Sequence, residues 1–271
     1  MLIEVTDLSF SYPSSEPVLD GVSFSVGEGE VFAIVGGNGS GKSTLARHLN
    51  ALIPVQSGTV KVAGMDASDP SNLYSIRRAC GMVFQDPNNE FVSSVAQEDI
   101  SFGLRNFDFP ESEIPGIISR SLARVGLAGF EKRDPHTLSG GQKQRLAIAA
   151  VLALGPKALI LDEATAMLDP EGREQVMDLA LSLKSRGVSV IMITHFVEEA
   201  ALADRVMVLS SGKVLALGSP EEVLTKEEVL KKARLFPLLP TRAYLSLLEA
   251  GLVSPGASPL FAEGLWEAMC R

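Results

Sequence analysis

The chain has 271 residues, of which 46% are hydrophobic and 21% charged, a balance typical of a globular protein with a packed core. The 33 acidic residues outnumber the 24 basic ones, and the resulting net charge of −9 argues against a surface that binds nucleic acid. Because two cysteines cannot form a disulfide framework and no apolar run is long enough to cross a membrane, we expect a soluble intracellular protein.

Short apolar runs alternate with helical patterns, which favours an α/β fold. Residues 1–30 and 58–64 predict a small antiparallel sheet, and residues 93–153 predict an inserted helical subdomain. Short helices are expected in a C-terminal extension, 221–271, that follows a main domain of residues 1–220. The strands of the main sheet are predicted at 30–35, 80–84, 158–161, 188–194 and 205–209.

A glycine-rich segment lies between the first of these strands and a helix predicted at 43–52. It has the pattern G-x-x-x-x-G-K-S, in which glycines let backbone N–H groups surround a phosphate chain at a helix N-terminus. Lys42 is expected to reach the β- and γ-phosphates, and the Ser43 hydroxyl to bind Mg²⁺. A plain glycine turn is the alternative, which the strand–loop–helix setting disfavours. The predicted nucleotide-binding residues here are Gly36, Gly37, Asn38, Gly39, Ser40, Gly41, Lys42, Ser43 and Thr44.

Two adjacent acids, Asp162 and Glu163, follow the apolar strand predicted at 158–161. A carboxylate at a strand end beside a phosphate loop is suited to Mg²⁺, and we assign that role to Asp162. Since side chains alternate along an extended chain, Glu163 is expected to point the other way, towards a water in line with the γ-phosphate. An acid pair in an ordinary turn is the alternative, which the neighbouring phosphate loop disfavours.

The three histidines differ in their settings. His195 ends the strand predicted at 188–194 and could contact the γ-phosphate, although a lone histidine after a strand is more often structural. His48 lies on the helix after the phosphate loop, and His136 lies in a polar loop. We expect both of these to be structural or solvated.

A serine, two glycines and a glutamine form the sequence 139–142. Ser139 and Gln142 predict a capping box, but the capping box does not explain two consecutive glycines, which leave N–H groups open to an anion. The segment 138–142 resembles the signature of ATP-binding-cassette ATPases. By the same resemblance, Tyr12 is similar to the aromatic that stacks on adenine, Gln85 to the Q-loop glutamine, Asp169 to the D-loop aspartate and His195 to the switch histidine.

This resemblance covers residues 1 to about 220 and implies a P-loop NTPase fold: a mixed sheet, an antiparallel β subdomain, a helical subdomain and a short C-terminal helical extension. It implies ATP hydrolysis with Glu163 and His195 as catalytic residues and Mg²⁺ held by Ser43, Gln85 and Asp162. It also implies a head-to-tail dimer in which each signature acts on the partner's ATP, with Asp169 at the interface. Asp169 reads equally well as the N-cap before Pro170. By the same resemblance, the residues expected to act in trans are Ser139, Gly140, Gly141 and Gln142.

Segments 84–92, 98–103 and 162–170 are similar to those of energy-coupling factor ATPases, the vitamin and metal-ion importers, in the first of their two paralogous types. The resemblance implies a heterodimer with a paralogue, a transmembrane coupling subunit, a substrate-binding membrane subunit and a peripheral place on the cytoplasmic face of the cell membrane. The ATPase of an ordinary ABC importer, or a soluble regulatory ATPase, remains an alternative.

Acidic and apolar residues alternate after Gln85. This pattern predicts a groove whose apolar floor binds a helix of the membrane subunit and whose acids pair with arginines on it. A solvated loop that leads into an amphipathic helix is the alternative. The predicted acids are Asp86, Glu90, Glu98 and Asp99, and the apolar residues are Phe91, Val92, Val95 and Ile100.

Overall fold

Two β-sheets organise the residues described by the computed structural model, which are 1–13, 16–87, 91–256 and 259–270. The first sheet is antiparallel and confirms the predicted β subdomain. Its strands are β1 (Ile3–Phe10), β2 (Leu19–Val26), β4 (Ser57–Val62) and β5 (Met65–Asp66), in the order β2-β1-β4-β5.

The second sheet has six strands and is mixed, as predicted. Five strands run parallel, and the last strand pairs antiparallel at one edge. The strands are β3 (Val31–Val35), β6 (Cys80–Val83), β7 (Ala158–Asp162), β8 (Ser189–Thr194), β9 (Arg205–Ser210) and β10 (Lys213–Gly218), in the order β10-β9-β3-β8-β7-β6.

Helices connect and cover the strands. They are α1 (Lys42–Leu49), α2 (Leu73–Ala79), α3 (Ala96–Asn106), α4 (Ile114–Arg124), α5 (Gly140–Ala153), α6 (Pro170–Lys184), α7 (Val197–Ala200), α8 (Pro220–Leu224), α9 (Glu227–Lys232), α10 (Leu239–Glu249) and α11 (Ala262–Met269). Single 3₁₀ turns lie at Pro70–Asn72 and Pro135–Thr137. In the described part of the chain, no helix combines the length and apolarity that a bilayer crossing requires.

The strands β3, β6, β7 and β8 are buried on both faces of the mixed sheet, which explains why they are largely apolar, whereas the edge strand β10 alternates between exposed and half-buried residues. Along β3, Val31, Ala33 and Val35 pack against the cluster formed with the helical subdomain. Phe32 and Ile34 point the opposite way, into a cluster shared with the antiparallel sheet and α1. The sheet is therefore a rigid layer between two cores, and its strand ends are fixed in position.

The chain after β10 packs onto the first of these cores. Val223 and Leu224 of α8 and Leu230 of α9 are fully buried in the same cluster as the mixed sheet, and Ala233 and Leu235 follow them there. A capping box between Ser219 and Glu222 begins α8. The C-terminal segment therefore begins as part of the main core and reaches back towards the strand ends.

Candidate nucleotide site

The carboxyl ends of β3, β7 and β8 meet at one edge of the mixed sheet. The register pairs Val35 with Thr194 and Asp162 with Ile193, so the residues that follow each strand lie side by side. Such an edge is where open α/β sheets bind ligands.

The phosphate loop spans residues 36–41, between β3 and α1. Gly41 has φ +102°, and a Cβ there would lie 2.7 Å from the Val18 carbonyl oxygen. A Cβ at Gly36 would lie 2.2 Å from the Leu209 carbonyl oxygen. Both positions require glycine, because the loop passes too close to its neighbours for any side chain.

Polar groups of this loop fit a phosphate chain. The hydroxyl oxygen of Ser40 is buried without a hydrogen-bond partner. Lys42 is 4% exposed, and its Nζ donates to the carbonyls of Gly36 at 2.8 Å and Gly37 at 3.2 Å. Burial lowers the pKa of Lys42, and the charge of Glu163 opposes that shift. The buried ammonium of Lys42 and the unpaired hydroxyl of Ser40 are therefore suited to binding a phosphate chain.

Ser43 and Asp162 form the part of the site that fits Mg²⁺. The Ser43 hydroxyl donates to Asp162 Oδ1 at 2.9 Å, so the two oxygens already converge. Burial raises the pKa of Asp162, and the hydrogen bond from Ser43 opposes that shift. No group of three or more His, Cys, Asp or Glu side chains among the described residues could hold a metal by itself. Because Mg²⁺ is commonly bound by one or two protein oxygens together with substrate phosphates, the pair fits the ion at a nucleotide.

The backbone conformation at Glu163 differs from the extended one that was predicted. Its φ is +50°, so the chain turns there, and the prediction from side-chain alternation along an extended strand is wrong. Its N–H donates to the Ile193 carbonyl at 2.8 Å. The carboxylate lies 3.6 Å from Lys42 Nζ and 3.7 Å from His195 Nδ1. A tight turn thus places an acid between an amine and an imidazole.

The remaining predicted contacts surround this centre. Gln85 is exposed and lines the same cleft as Asn38 and Glu163. The Tyr12 hydroxyl lies 3.4 Å from the Thr44 hydroxyl, which places the ring beside the start of α1. Tyr12 is 39% exposed, so part of its side chain remains accessible at this position.

The signature residues lie apart from the phosphate loop. Ser139 caps α5 in the predicted capping box with Gln142, and Asp169 caps α6 by accepting from the Gly172 N–H at 2.9 Å. The segments 139–142 and 167–169 line a pocket that shares no described lining residue with the phosphate pocket. Ser139 and Gly140 are exposed there. Within one chain, therefore, the signature does not face the chain's own phosphate loop.

The second glycine of the signature has a packing role that the sequence analysis missed. A Cβ at Gly141 would lie 3.2 Å from the Cα of Gly172, where the first turns of α5 and α6 touch. A side chain at Gly141 would push the two helices slightly apart, so the glycine favours their close packing.

The predicted docking segment is only partly available to a partner. Asp99 is 9% exposed, and its Oδ1 accepts from the Val92 N–H at 2.7 Å. Burial raises the pKa of Asp99. Ile100 is 1% exposed and belongs to the core. The roles predicted for Asp99 and Ile100 are therefore wrong, because α3 turns both inward. Glu98 remains exposed, and Glu90 lies outside the described residues.

Two contacts at the site have no counterpart among the predictions. Gln144 of α5 is fully buried and donates to the Phe84 carbonyl at 3.2 Å, directly before Gln85. A polar residue on an otherwise apolar helix face is the sequence signal that could have identified it. The Gly37 N–H donates to the Ala233 carbonyl at 2.9 Å. Nothing in the local sequence signals that second contact, since the two residues are far apart along the chain.

Comparison with known proteins decides the family. The family model described as ABC transporter matches residues 19–166. An energy-coupling factor transporter ATP-binding protein, EcfA1 of Symbiobacterium thermophilum, is 46% identical over 93% of this chain and 88% of its own length. The chain belongs to the ABC transporter family, among the energy-coupling factor ATP-binding proteins. As such, it is an ATP hydrolase of the ABC type.

Other relatives agree with this assignment. EcfA1 of Clostridioides difficile is 44% identical over 93% of this chain and 92% of its own length. The solved structure of cbiO1 from Clostridium perfringens, part of the ABC transporter complex cbiONQ, has a TM-score of 0.78 at 37% identity and covers 90% of this chain and 98% of that one. The dimeric ATP-binding cassette MJ0796, bound to ADP and Pi, has a TM-score of 0.72 at 29% identity, over 80% of this chain and 98% of that one.

Proposed function

We propose that the chain is the ATP-hydrolysing subunit of an energy-coupling factor importer and powers uptake of a vitamin or metal ion through a membrane partner. The observation that carries the proposal is the meeting of Lys42, Asp162, Glu163 and His195 at one sheet edge, in a chain related to energy-coupling factor ATP-binding proteins. Such a subunit works at the cytoplasmic face of the cell membrane, bound peripherally to its partner.

In the proposed site, the N–H groups of residues 36–44 and the Lys42 ammonium hold the β- and γ-phosphates, and Tyr12 stacks on adenine. Ser43 and Asp162, whose oxygens are already in contact, are the proposed Mg²⁺ ligands, with Gln85 joining them. Bound Mg²⁺ supplies charge neutralisation at the phosphates. The buried, unpaired Ser40 hydroxyl supports this placement of the phosphate chain.

The proposed roles of Glu163 and His195 follow from their separation. Glu163 accepts a proton from the attacking water, and His195 donates a hydrogen bond to the γ-phosphate. The 3.7 Å between His195 Nδ1 and Glu163 Oε2 lets one water or phosphate oxygen reach both groups. Lys42, 3.6 Å from Glu163, holds the carboxylate at the mouth of the phosphate loop.

Two cassettes are proposed to form each complete site. Ser139, Gly140, Gly141 and Gln142 act in trans on the partner's γ-phosphate, with Asp169 at the dimer interface. The exposure of Ser139 and Gly140, and the separation of their pocket from the phosphate pocket, support this arrangement. The proposed partner is a paralogous ATPase, which makes the dimer a heterodimer.

We propose residues 1–220 as the nucleotide-binding domain, with 93–153 as its helical subdomain, and 221–271 as a C-terminal extension. The transmembrane coupling subunit docks on the helical subdomain, and a substrate-binding membrane subunit joins it. Glu98 and Phe102 lie one turn apart on α3, and both are exposed. An acid beside an aromatic ring suits a cationic amphipathic helix of the membrane subunit.

Affinity purification of the tagged chain from detergent-solubilised membranes of its own cells tests this function. We expect recovery of a paralogous ATPase, a transmembrane coupling protein and a small substrate-binding membrane protein. Recovery of a permease that works with an extracytoplasmic binding protein would assign the chain to an ordinary ABC importer. Recovery of no membrane protein, with ATPase activity intact, would favour a soluble regulatory ATPase.

A further inference from the structure

A short segment of the C-terminal extension lies against the phosphate loop. The Gly37 N–H donates to the Ala233 carbonyl at 2.9 Å, and a Cβ at Gly37 would come equally close to that oxygen. The same Cβ would lie 3.4 Å from Cβ and 3.8 Å from Cδ of Arg234. The aliphatic stem of Arg234 therefore lies alongside the loop that is proposed to hold ATP.

The segment is held firmly in this place. Ala233 and Leu235 are buried in the main core, on either side of exposed Arg234. The Leu235 N–H donates to the Leu230 carbonyl at 2.8 Å, and the Ser210 hydroxyl donates to the Lys232 carbonyl at 3.3 Å. Both neighbours of Arg234 are therefore anchored, and Arg234 itself lines the cleft beside Gly37 and Asn38.

Arg234 has a backbone conformation that favours glycine. Its φ is +57°, in the left-handed region that side chains other than glycine rarely adopt. Arg234, which has this strained backbone, lines the cleft together with Asn38, Gln85, Glu163 and His195. Among the ion pairs formed by described residues, none includes Arg234. Two acids line the same cleft: Glu163, which already has Lys42 and His195 beside it, and Glu198, which is exposed. Neither forms an ion pair with Arg234, so the guanidinium is available for an anion that enters the cleft.

We propose that Arg234 contacts the terminal phosphate of ATP bound at the phosphate loop of the same chain. The guanidinium fork matches phosphate oxygens in a bidentate arrangement, whereas an ammonium acts as a point charge. This inference rests on the proposed placement of ATP. It makes the C-terminal extension part of the nucleotide site, so that loss of the γ-phosphate is sensed by the segment that joins α9 to α10.

The variant Arg234→Gly tests the contact, because it removes the guanidinium and relieves the backbone strain at once. We expect it to fold at least as stably as the original chain, as measured by thermal unfolding. In the full-length chain with Mg²⁺, its affinity for the non-hydrolysable analogue AMP-PNP should fall by about tenfold, in line with the loss of a charge-assisted hydrogen bond. Its affinity for ADP, which lacks the terminal phosphate, should change less than about twofold.

Lys231→Ala is the matched control, since it removes an exposed cation from the same segment outside the cleft. Its ratio of AMP-PNP to ADP affinity should equal that of the original chain. An unchanged ratio in folded Arg234→Gly would overturn the proposal, and so would equal weakening of both nucleotides. Lys42→Ala distinguishes a failure of this proposal from a failure of the proposed ATP site. If Lys42→Ala still binds AMP-PNP normally, the proposed placement of ATP at the phosphate loop is itself wrong.

Discussion

Glu163 has a left-handed backbone that costs a non-glycine residue about 1–2 kcal/mol. The hydrogen bond from its N–H to the Ile193 carbonyl holds the turn in place. The result is a partly buried carboxylate between Lys42 and His195, at distances of 3.6 and 3.7 Å. The turn therefore places the Glu163 carboxylate beside the position proposed for the attacking water.

Replacing Glu163 by Gln keeps the shape of the side chain and removes its proton affinity. We expect ATP turnover to fall by about 10²–10⁴-fold, the usual contribution of general-base catalysis, while ATP binding persists and an ATP-bound dimer accumulates. Steady-state kinetics and size-exclusion chromatography with ATP measure both effects. Glu198→Gln is the control, because Glu198 is an exposed acid that lines the same cleft. Normal turnover in Glu163→Gln would contradict the assignment.

At the scale of elements, α1 contains a buried histidine directly behind the phosphate loop. His48 is fully buried, its Nδ1 lies 2.7 Å from the Thr44 carbonyl, and its ring packs edge-on against Phe10. Its Nε2 is buried without a partner, so a second proton on the ring would be unsatisfied. Burial accordingly lowers the pKa of His48 from its ordinary value of 6.5.

This shift predicts how stability depends on pH. As the pH falls below about 6.5, the unfolded chain binds a proton at His48 before the folded chain does, so the free energy of unfolding falls until the pH reaches the lowered pKa of the folded state. The slope from this residue is at most about 1.4 kcal/mol per pH unit. Urea unfolding between pH 7.5 and 5 should therefore show a smaller pH dependence for His48→Asn than for the original chain. An unchanged slope in His48→Asn would refute the argument.

The two neighbouring acids of α3, Asp99 and Glu98, have different surroundings. Asp99 faces inward and accepts from the Val92 N–H, which anchors the chain just before α3. Glu98 faces solvent, 3.7 Å from Arg105, which also pairs with Glu111 at 2.7 Å. Because Arg105 keeps its pairing with Glu111, the charge of Glu98 is not needed to hold α3.

Charge reversal at Glu98 tests whether this surface binds the membrane subunit. Glu98→Lys should weaken co-purification with that subunit and reduce transport, while the isolated ATPase keeps its activity, because a cationic partner would meet a like charge. Glu249→Lys, at an exposed acid in the C-terminal extension, should have no effect on assembly. Normal assembly and transport by Glu98→Lys would place the docking surface elsewhere.

At the scale of the whole molecule, the two halves of the proposed composite site lie in different pockets of one chain. Lys42→Ala disables the phosphate loop. Ser139→Asp keeps an N-capping side chain on α5 while adding a negative charge that repels phosphate. Each variant alone should lose most ATPase activity, for a different reason.

Mixing the two variants tests action in trans. In a mixed dimer, the intact phosphate loop of one chain meets the intact signature of the other, so one of two sites should work and activity should rise above that of either variant alone. If the chain pairs only with its paralogue, the same substitutions are divided between the two paralogues. No recovery in a dimer shown to contain both variants would argue against the composite site.

Local patterns determined most of the fold and of the phosphate site. The phosphate loop, the capping boxes at Ser139 and Ser219, and the strand–loop–helix order were predictable, because each depends on hydrogen bonds or sterics within a few residues of the chain. The side chains of β3 alternate between the two cores, which also follows from the two-residue period of side chains along a strand.

Tertiary structure alone decided the features that depend on distant segments. The turn at Glu163 is held by the Ile193 carbonyl of a neighbouring strand, and the burial of Asp99 comes from the packing of α3 in the helical subdomain. The contact of Gly37 with Ala233 joins the phosphate loop to the C-terminal extension, two segments that are far apart in the sequence. A local sequence pattern predicts which side chains and backbone groups a segment exposes for contact. Which distant residue each group contacts is decided only in the packed fold, because it depends on how the two hydrophobic cores pack on the two faces of the sheet.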